Sequence, residues 1–259
     1  MQWEHMTSGA LKDATTEPGV CLFAIGSMER HGEHMAVGID TFFAHKVACL
    51  AAEKEAMVVF PPFFYGQVNE AHAWSGAIQL KPRLLVRLIL GLLDEIGRNG
   101  FRKIILFGAH GGNGPLQQTV QLALLQERKP YCLYSCGWAS ARNNPDWPNA
   151  LETKHHGHAC ECETSFSMWT HPHLVKMEKV PAEPAPPLNR LAHLPPTHTG
   201  VSFYADYPDF WIGKPAAATP QKGETLARLL IDGVAQFAAA VKADTAGPRL
   251  TSEFYRRLA

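Results

Sequence analysis

The chain has 259 residues, of which 46% are hydrophobic and 19% charged, an ordinary composition for a folded protein that can bury a large core. Basic and acidic residues number 24 each, so no net charge favours nucleic acid or an anionic membrane as a partner. The N-terminus lacks a secretory pattern, and charges interrupt the most apolar window, 84–96. We therefore expect a soluble, cytoplasmic protein.

The first hundred residues predict alternating strands and helices. An apolar run over 20–25 predicts a buried strand, and Asp40 is placed to cap a helix that reaches about residue 56. A second strand is predicted over 57–60. The clearest helical pattern spans 82–98, where apolar residues recur every three or four positions.

The alternation continues through the middle of the chain. A strand is predicted over 103–107, a glycine-rich turn over 108–114, a helix over 115–128 and a strand over 131–135. This order predicts an α/β fold, a three-layer α/β/α sandwich with a mostly parallel central sheet. We expect one domain over 1–259.

Two features follow in the last third of the chain. Six prolines and no clear periodicity over 181–198 predict an ordered surface excursion or lid. An amphipathic pattern over 225–241 predicts a further helix.

The loop after the first predicted strand reads GSMERHGEHMAVGID and is rich in carboxylates and imidazoles. Glu29 and His31 are two positions apart, so in an extended segment both side chains point the same way, as metal ligands would. Asp40 could bind a cation, but at a predicted helix start its carboxylate could also cap the helix. Both roles remain open for Asp40.

The glycine-rich turn carries His110, which would emerge at the carboxyl edge of the sheet. A histidine in a turn can be a metal ligand, or it can simply be hydrogen-bonded. The turn could instead cradle a phosphate on its backbone amides, as in a nucleotide-binding oxidoreductase, but it lacks the lysine of a P-loop and the spacing of a dinucleotide fingerprint.

A third cluster lies in the stretch 155–165. If a helix begins near His158, then His158 and Glu161 share a face one turn apart, while Glu163 points elsewhere. Cys160 and Cys162 lack the two-residue gap of a structural zinc site and are expected to be bystander thiols.

Taken together, three separate segments supply carboxylates and imidazoles at strand-to-helix junctions. This ligand set is typical of hydrolytic sites for zinc, manganese or iron, in which an open position holds water. Two ions about 3.5 to 4 Å apart would need a bridging carboxylate, and Asp40 is the candidate.

The three blocks also resemble a known family. GSMERHGEH followed by Asp40, then GAHGGN, then HACECETS stand in the order of the motifs of the creatininase family, the creatinine amidohydrolase-like metal hydrolases. A later stretch, ATPQKGE, is similar to the family's Ala-Thr-x-x-Lys-Gly-Glu. The resemblance runs from about residue 18 to 235.

This resemblance implies roles for particular residues. Glu29, His31, Asp40 and His110 match metal ligands, with Asp40 in the bridging position between two divalent ions. In creatininase a glutamate two residues after the turn histidine completes the site, whereas this chain has Gly112 there. The resemblance makes Glu161 its replacement. The candidates for catalytic proton transfer are His158, Glu161 and Glu163.

The resemblance also implies a metal-dependent amidohydrolase that uses metal-activated water to cleave a non-peptide or cyclic amide C–N bond. Residues that depart from the family motifs, such as Arg30 and Cys160, argue against creatinine itself as the substrate. The alternatives are a formamide deformylase, a modified-peptide peptidase and, in another class, a non-catalytic metal-binding protein. A small-molecule amide is the expected partner, with no nucleic acid or membrane. Relatives imply a homo-oligomer, specifically a hexamer, with the aromatics at 203, 204, 210 and 211 as candidate contacts.

Overall fold

In the computed structural model, which describes residues 1–257, the central sheet has four strands: β1 Val20–Ile25, β2 Val58–Val59, β3 Lys103–Gly108 and β4 Cys132–Gly137. Their spatial order is β2-β1-β3-β4, and every pair among them is parallel. Ile25 pairs with Gly108, which in turn pairs with Gly137. The carboxyl ends of β1, β3 and β4 therefore lie level at one edge of the sheet.

The described residues form ten α-helices: α1 Ser8–Ala14, α2 Ile39–Lys54, α3 Pro82–Arg98, α4 Asn113–Ala123, α5 Ala139–Arg142, α6 Asp146–Asn149, α7 Glu161–Thr170, α8 Ser202–Asp206, α9 Pro220–Ala243 and α10 Ala246–Arg256. In that same part of the chain, each helix is too short or too polar to cross a bilayer.

Helices cover both faces of the sheet because the buried strands are apolar on both sides. In β1, Leu22 and Ala24 pack into the cluster formed with α2, α7 and α9. Cys21, Phe23 and Ile25 pack into the opposite cluster with α3 and α4. The predicted three-layer α/β/α architecture is confirmed.

Several element predictions are confirmed. The helix predicted over 82–98 is α3, and the strand predicted over 103–107 is β3, one residue longer. The helix predicted over 115–128 begins earlier, at Asn113, and turns into a 3₁₀ segment at Leu124–Gln126. The segment 181–198 is mostly exposed and contains no α-helix or strand.

Two boundaries differ from the predictions for local physical reasons. Gly38, not Asp40, is the N-cap of α2, and Asp40 lies inside its first turn. The prediction that Asp40 caps the helix is therefore wrong. Helix α9 begins at Pro220, five residues earlier than predicted, because the Thr219 side chain accepts a hydrogen bond from the Lys222 amide.

All six cysteines are free thiols. Cys160 and Cys162 are buried, and burial raises the pKa of Cys160 to about 11. A thiol with that pKa is not a thiolate near neutral pH, which agrees with the predicted bystander role.

Helices α7 and α9 pack so closely that a glycine is required between them. A Cβ added at Gly223 of α9 would overlap the backbone carbonyl of Ser165 in α7, whereas one added at Gly91 of α3 would meet nothing within 4 Å. We expect Gly223→Ala to lower the free energy of unfolding by about 1–3 kcal/mol. The matched variant Gly91→Ala should raise it by roughly 0.5 kcal/mol because alanine favours the helix.

Urea unfolding of the two variants followed by circular dichroism measures both changes. Equal midpoints for Gly223→Ala and the unmodified chain would contradict the described packing of α7 on α9.

Candidate metal centre

Six titratable side chains gather beyond the carboxyl ends of β1 and β3. Five are buried and the sixth, Glu163, is partly buried. They come from three stretches of chain: Glu29, His31 and Asp40 after β1, His110 after β3, and His158 and Glu163 around the start of α7. The three predicted segments thus converge at the sheet edge where α/β folds bind ligands.

Asp40 lies in the middle of this cluster. Its Oδ1 is 3.1 Å from His31 Nε2, and its Oδ2 is 3.3 Å from His110 Nδ1. The Ser27 hydroxyl donates a hydrogen bond to Oδ2 and holds the carboxylate in place. Because its two oxygens face different histidines, Asp40 is positioned to bridge two ligand sets.

Two glutamates flank Asp40. Glu29 Oε1 lies 2.8 Å from His110 Nδ1 and 3.6 Å from His158 Nδ1. On the other side, Glu163 Oε2 lies 3.7 Å from His31 Nε2. The donor atoms form three groups, each within 4.8 Å: Glu29, Asp40 and His110; His31, Asp40 and Glu163; and Glu29, His31 and His158.

Backbone carbonyls orient the histidines. His31 Nδ1 lies 3.2 Å from the Glu29 carbonyl oxygen, and His110 Nε2 lies 2.8 Å from that of Gln67. His158 Nε2 lies 2.6 Å from the carbonyl oxygen of Arg30. A carbonyl only accepts, so each of these nitrogens carries the proton and the nitrogen facing the cluster is left to bind a cation.

The cluster also contains buried atoms without hydrogen-bond partners. Among residues 1–257, neither Glu29 oxygen has a partner in hydrogen-bonding geometry, nor does His31 Nε2. Unpaired buried charge is costly, and a divalent ion among these oxygens and nitrogens would compensate it. The donor set therefore fits a zinc- or manganese-type ion, as the sequence predicted.

The pKa values follow from the same crowding. Burial lowers the pKa of His31, but the neighbouring Asp40 carboxylate outweighs it and raises the value to about 10. Burial raises the pKa of Glu163 to about 7, against the opposing effect of His31. Without a cation, protons are needed to neutralise the carboxylates in this cluster.

Glu161, predicted as a ligand, lies outside all three groups. Its carboxylate is 2.7 Å from Lys222 Nζ and accepts hydrogen bonds from the backbone amides of Glu152 and Thr153. Burial raises the pKa of Glu161, but these donors outweigh burial and lower it. The structure therefore does not bring Glu161 to the cluster, although its carboxylate is fully buried.

The start of α7 explains this difference. The helix begins at Glu161 rather than near His158, and Ala159 has a left-handed φ of 50° that breaks the helical path between them. The predicted shared face of His158 and Glu161 is therefore wrong, and Glu163 faces the cluster instead. No local sequence signal marks a left-handed alanine, since the conformation is uncommon for that residue.

The glycine-rich turn packs tightly around His110. A Cβ at Gly112 would lie 2.6 Å from His110 Nε2 and would also overlap the Gln67 carbonyl oxygen. The Asn113 side chain donates to the carbonyl oxygens of Ile25 and Gly26 and ties the turn to the end of β1. Close packing around the histidine thus accounts for the glycine at 112 and the asparagine at 113.

Aromatic rings surround His158. The ring centroid of Phe210 is 4.7 Å from that of His158, and the centroid of Phe203 is 5.9 Å away. Phe210 is only 2% exposed, so its predicted role in a subunit contact does not agree with the structure. Arg30, a departure from the family pattern, lies with its guanidinium carbon 4.2 Å from the ring centroid of Trp74.

The profile of the creatininase family, described as creatinine amidohydrolase, matches residues 4–238. The chain belongs to the creatininase family. This confirms the family predicted from the three sequence blocks, and with it the predicted class of enzyme, a hydrolase of carbon–nitrogen bonds.

Relatives within the family have different names. The 3-dehydro-scyllo-inosose hydrolase of Thermotoga maritima is 23% identical over 254 residues, covering 89% of this chain and 80% of its own. The mycofactocin precursor peptide peptidase of Mycobacterium ulcerans is 26% identical over 238 residues, covering 87% of this chain and 86% of its own.

The fold is similar to that of solved creatininases. A crystal structure of creatinine amidohydrolase superposes with a TM-score of 0.81 at 20% sequence identity, covering 94% of this chain and 98% of the other. Further creatininase structures are described as "Zn-Zn type" and as "Creatininase Mn".

The two glutamates of α7 have different surroundings, so we expect their glutamine variants to have different effects. We expect Glu163→Gln to lower the affinity for Mn²⁺ at least tenfold, because a neutral amide is a much poorer ligand for a divalent ion. Glu161→Gln should retain Mn²⁺ but lower the free energy of unfolding by about 2 kcal/mol, because Lys222 and two amides lose a buried charged acceptor.

Isothermal titration with Mn²⁺ and urea unfolding of the metal-free proteins measure the two effects separately. Loss of Mn²⁺ binding in Glu161→Gln, with retention in Glu163→Gln, would restore the sequence-based ligand assignment.

Proposed function

We propose that the chain is a metal-dependent amidohydrolase that cleaves a C–N bond of a small amide other than creatinine. The observation that carries this proposal is the position of Asp40, whose two oxygens face the histidines of two different ligand sets. A shared carboxylate between two such sets is the arrangement of a two-ion hydrolase.

We assign two divalent ions to the cluster. Glu29, Asp40 and His110 would hold one, and His31, Asp40 and Glu163 the other, with Asp40 shared. Zinc or manganese is supported by the metals in the descriptions of the solved creatininases, and iron suits the same donors. When bound, such ions lower the pKa of a coordinated water toward ~7 and polarise an amide oxygen.

His158 is the residue that we assign to proton transfer. Its Nε2 is held by the Arg30 carbonyl, so its Nδ1 carries a lone pair that faces Glu29 and Glu163. In that position Nδ1 can take a proton from the attacking water and return it to the leaving nitrogen. Phe203 and Phe210 exclude water from the other side of the ring.

Residues of this chain and the names of its relatives both argue against creatinine as the substrate. Gly112 stands where creatininase has a glutamate ligand, and a larger residue would clash with His110. Relatives named for an inosose and for a peptide support a family in which the substrate varies while the metal chemistry is retained.

A second candidate is a peptidase acting on a modified peptide. It is favoured by the peptidase relatives, which match 83–87% of this chain at 26–27% identity. The attack on a peptide carbonyl is the same, and only the shape of the substrate differs. A panel containing cyclic amides, formamides and short peptides separates the two candidates.

We also propose a homo-oligomer, with a cytoplasmic location. Exposed apolar side chains support an association surface, among them Leu122, Leu250 and Phe254. Sedimentation of the purified protein distinguishes a hexamer from smaller assemblies.

Metal removal tests the function directly. Dialysis against a chelator should abolish amide hydrolysis, and Mn²⁺ or Zn²⁺ should restore it with about two ions per chain. Asp40→Asn should lose at least about a thousandfold in kcat/KM and bind less metal, because both ligand sets share this carboxylate. Elemental analysis and kinetics measure the two effects.

The matched control is Asp232→Asn, which makes the same change on a half-exposed aspartate paired with Lys54. Full metal occupancy without turnover of any amide in the panel would instead support the non-catalytic metal-binding protein.

His158→Gln tests the proton-transfer role. We expect kcat to fall by about 10²–10⁴-fold while two Mn²⁺ ions remain bound, because glutamine cannot accept and return a proton. If metal content falls together with kcat, His158 acts as a ligand and the role of proton carrier passes to another group. Manganese analysis of the purified variant decides between these outcomes.

A further inference from the structure

A cavity of about 390 Å³ is lined in part by Glu163, one of the six side chains of the cluster. Its walls come from the segments around Trp138 and Trp147 and from the stretch before α7. The volume is within the usual range for small-molecule sites. This cavity is the space next to the cluster that can hold the part of a substrate that does not react.

One wall of the cavity is rigid and flat. The Trp138 ring stacks on Phe43, with 5.5 Å between centroids and 11° between planes, and it also contacts Phe166. Trp147 is buried and contacts the rings of Trp138 and Phe166. An aromatic wall fixed in this way can position a ligand at little cost in side-chain entropy.

The same cavity carries two cations with no acidic partner. The guanidinium carbon of Arg142 lies 5.5 Å from the Trp138 centroid, and Lys154 also lines the cavity. Within residues 1–257, neither forms an ion pair with a carboxylate. Lys222, by contrast, is neutralised by Glu161 and Glu152.

Other groups in the cavity do not cancel this charge. Glu163 is the one carboxylate that the described part of the chain contributes to its lining, and the proposed metal ligation engages it. His156 also lines the cavity, and its buried Nδ1 has no hydrogen-bond partner among residues 1–257. The cavity therefore combines two unpaired, exposed cations with an aromatic wall.

We propose that this cavity selects an amide substrate that carries a negatively charged group, bound by Arg142 and Lys154, with its scissile amide at the metal cluster. The inference rests on the proposed function and names the substrate class of that site. A guanidinium and an ammonium recognise either a carboxylate or a phosphate.

Matched probes test the charge preference. N-acetylglycine carries a carboxylate, N-acetylglycinamide is its neutral counterpart, and N-acetylaminomethylphosphonate carries the phosphate-type anion. Binding to the manganese-loaded protein is followed by tryptophan fluorescence, which reports on Trp138 and Trp147, and hydrolysis is followed separately. We expect an anionic probe to bind at least about tenfold more tightly than the neutral one.

Variants assign the preference to the two cations. Arg142→Met and Lys154→Met should each reduce the ratio of anionic to neutral affinity about five- to tenfold, and Arg142→Lys should restore part of it. The control Arg128→Met removes a cation at the opposite end of the sheet, in another cavity, and should leave the ratio unchanged. Salt should weaken the preference because both cations are exposed.

The binding and hydrolysis results separate this inference from the proposed function. Tight binding of the anionic probes without hydrolysis would support the cavity's charge selection and count against the amidohydrolase. Hydrolysis with equal or better use of the neutral probe, or a ratio unchanged in Arg142→Met and Lys154→Met, would overturn the charge selection alone. A higher affinity for the phosphonate than for the carboxylate would identify a phosphate-type substrate.

Discussion

The whole site depends on a buried carboxylate, Asp40, held between two histidines. A carboxylate with that burial and charge needs polar partners: the Ser27 hydroxyl donates to one oxygen, and the rings of His31 and His110 face the two oxygens at 3.1 and 3.3 Å. This requirement fixes the start of α2 against the end of β1. Gly26 allows the approach, since a Cβ there would overlap Thr41. The position of Asp40 in the cluster and the packing of α2 on the end of β1 therefore depend on each other.

The ion pair between Lys222 and Glu161 supports the site from outside the cluster. Lys222 of α9 and Glu161 of α7, together with the amides of Glu152 and Thr153, anchor the first turn of α7. That turn presents Glu163 to the cluster two residues later. Glu161, which looks like a ligand in the sequence, thus holds the helix, and Glu163 faces the cluster. The buried Glu161 carboxylate is costly to desolvate, so its hydrogen bonds to Lys222 and to the backbone amides are needed for it to be stable.

The cluster of carboxylates and imidazoles and the cavity beside it come from different parts of the fold. The cluster side chains lie at the carboxyl edge of the sheet, next to strands whose register the core determines. The cavity walls come from the connection between β4 and α7, which contains only two short helices. Loops positioned by a rigid scaffold can change residues without changing the metal site. This separation lets the cavity change its residues while the donor cluster is kept.

The sequence by itself determined the layer architecture, the family and the three segments that carry ligands. Periodicity and strand–helix alternation are local properties, so α3 and β3 could be predicted almost to the residue. The tertiary structure decided which carboxylate of 161–163 faces the cluster and what Asp40 does in the first turn of α2. Those outcomes depend on a left-handed Ala159, on a lysine 61 residues away from Glu161, and on two histidines from different strand ends. No local pattern encodes contacts between such distant residues, because they exist only once the helices have packed on the sheet.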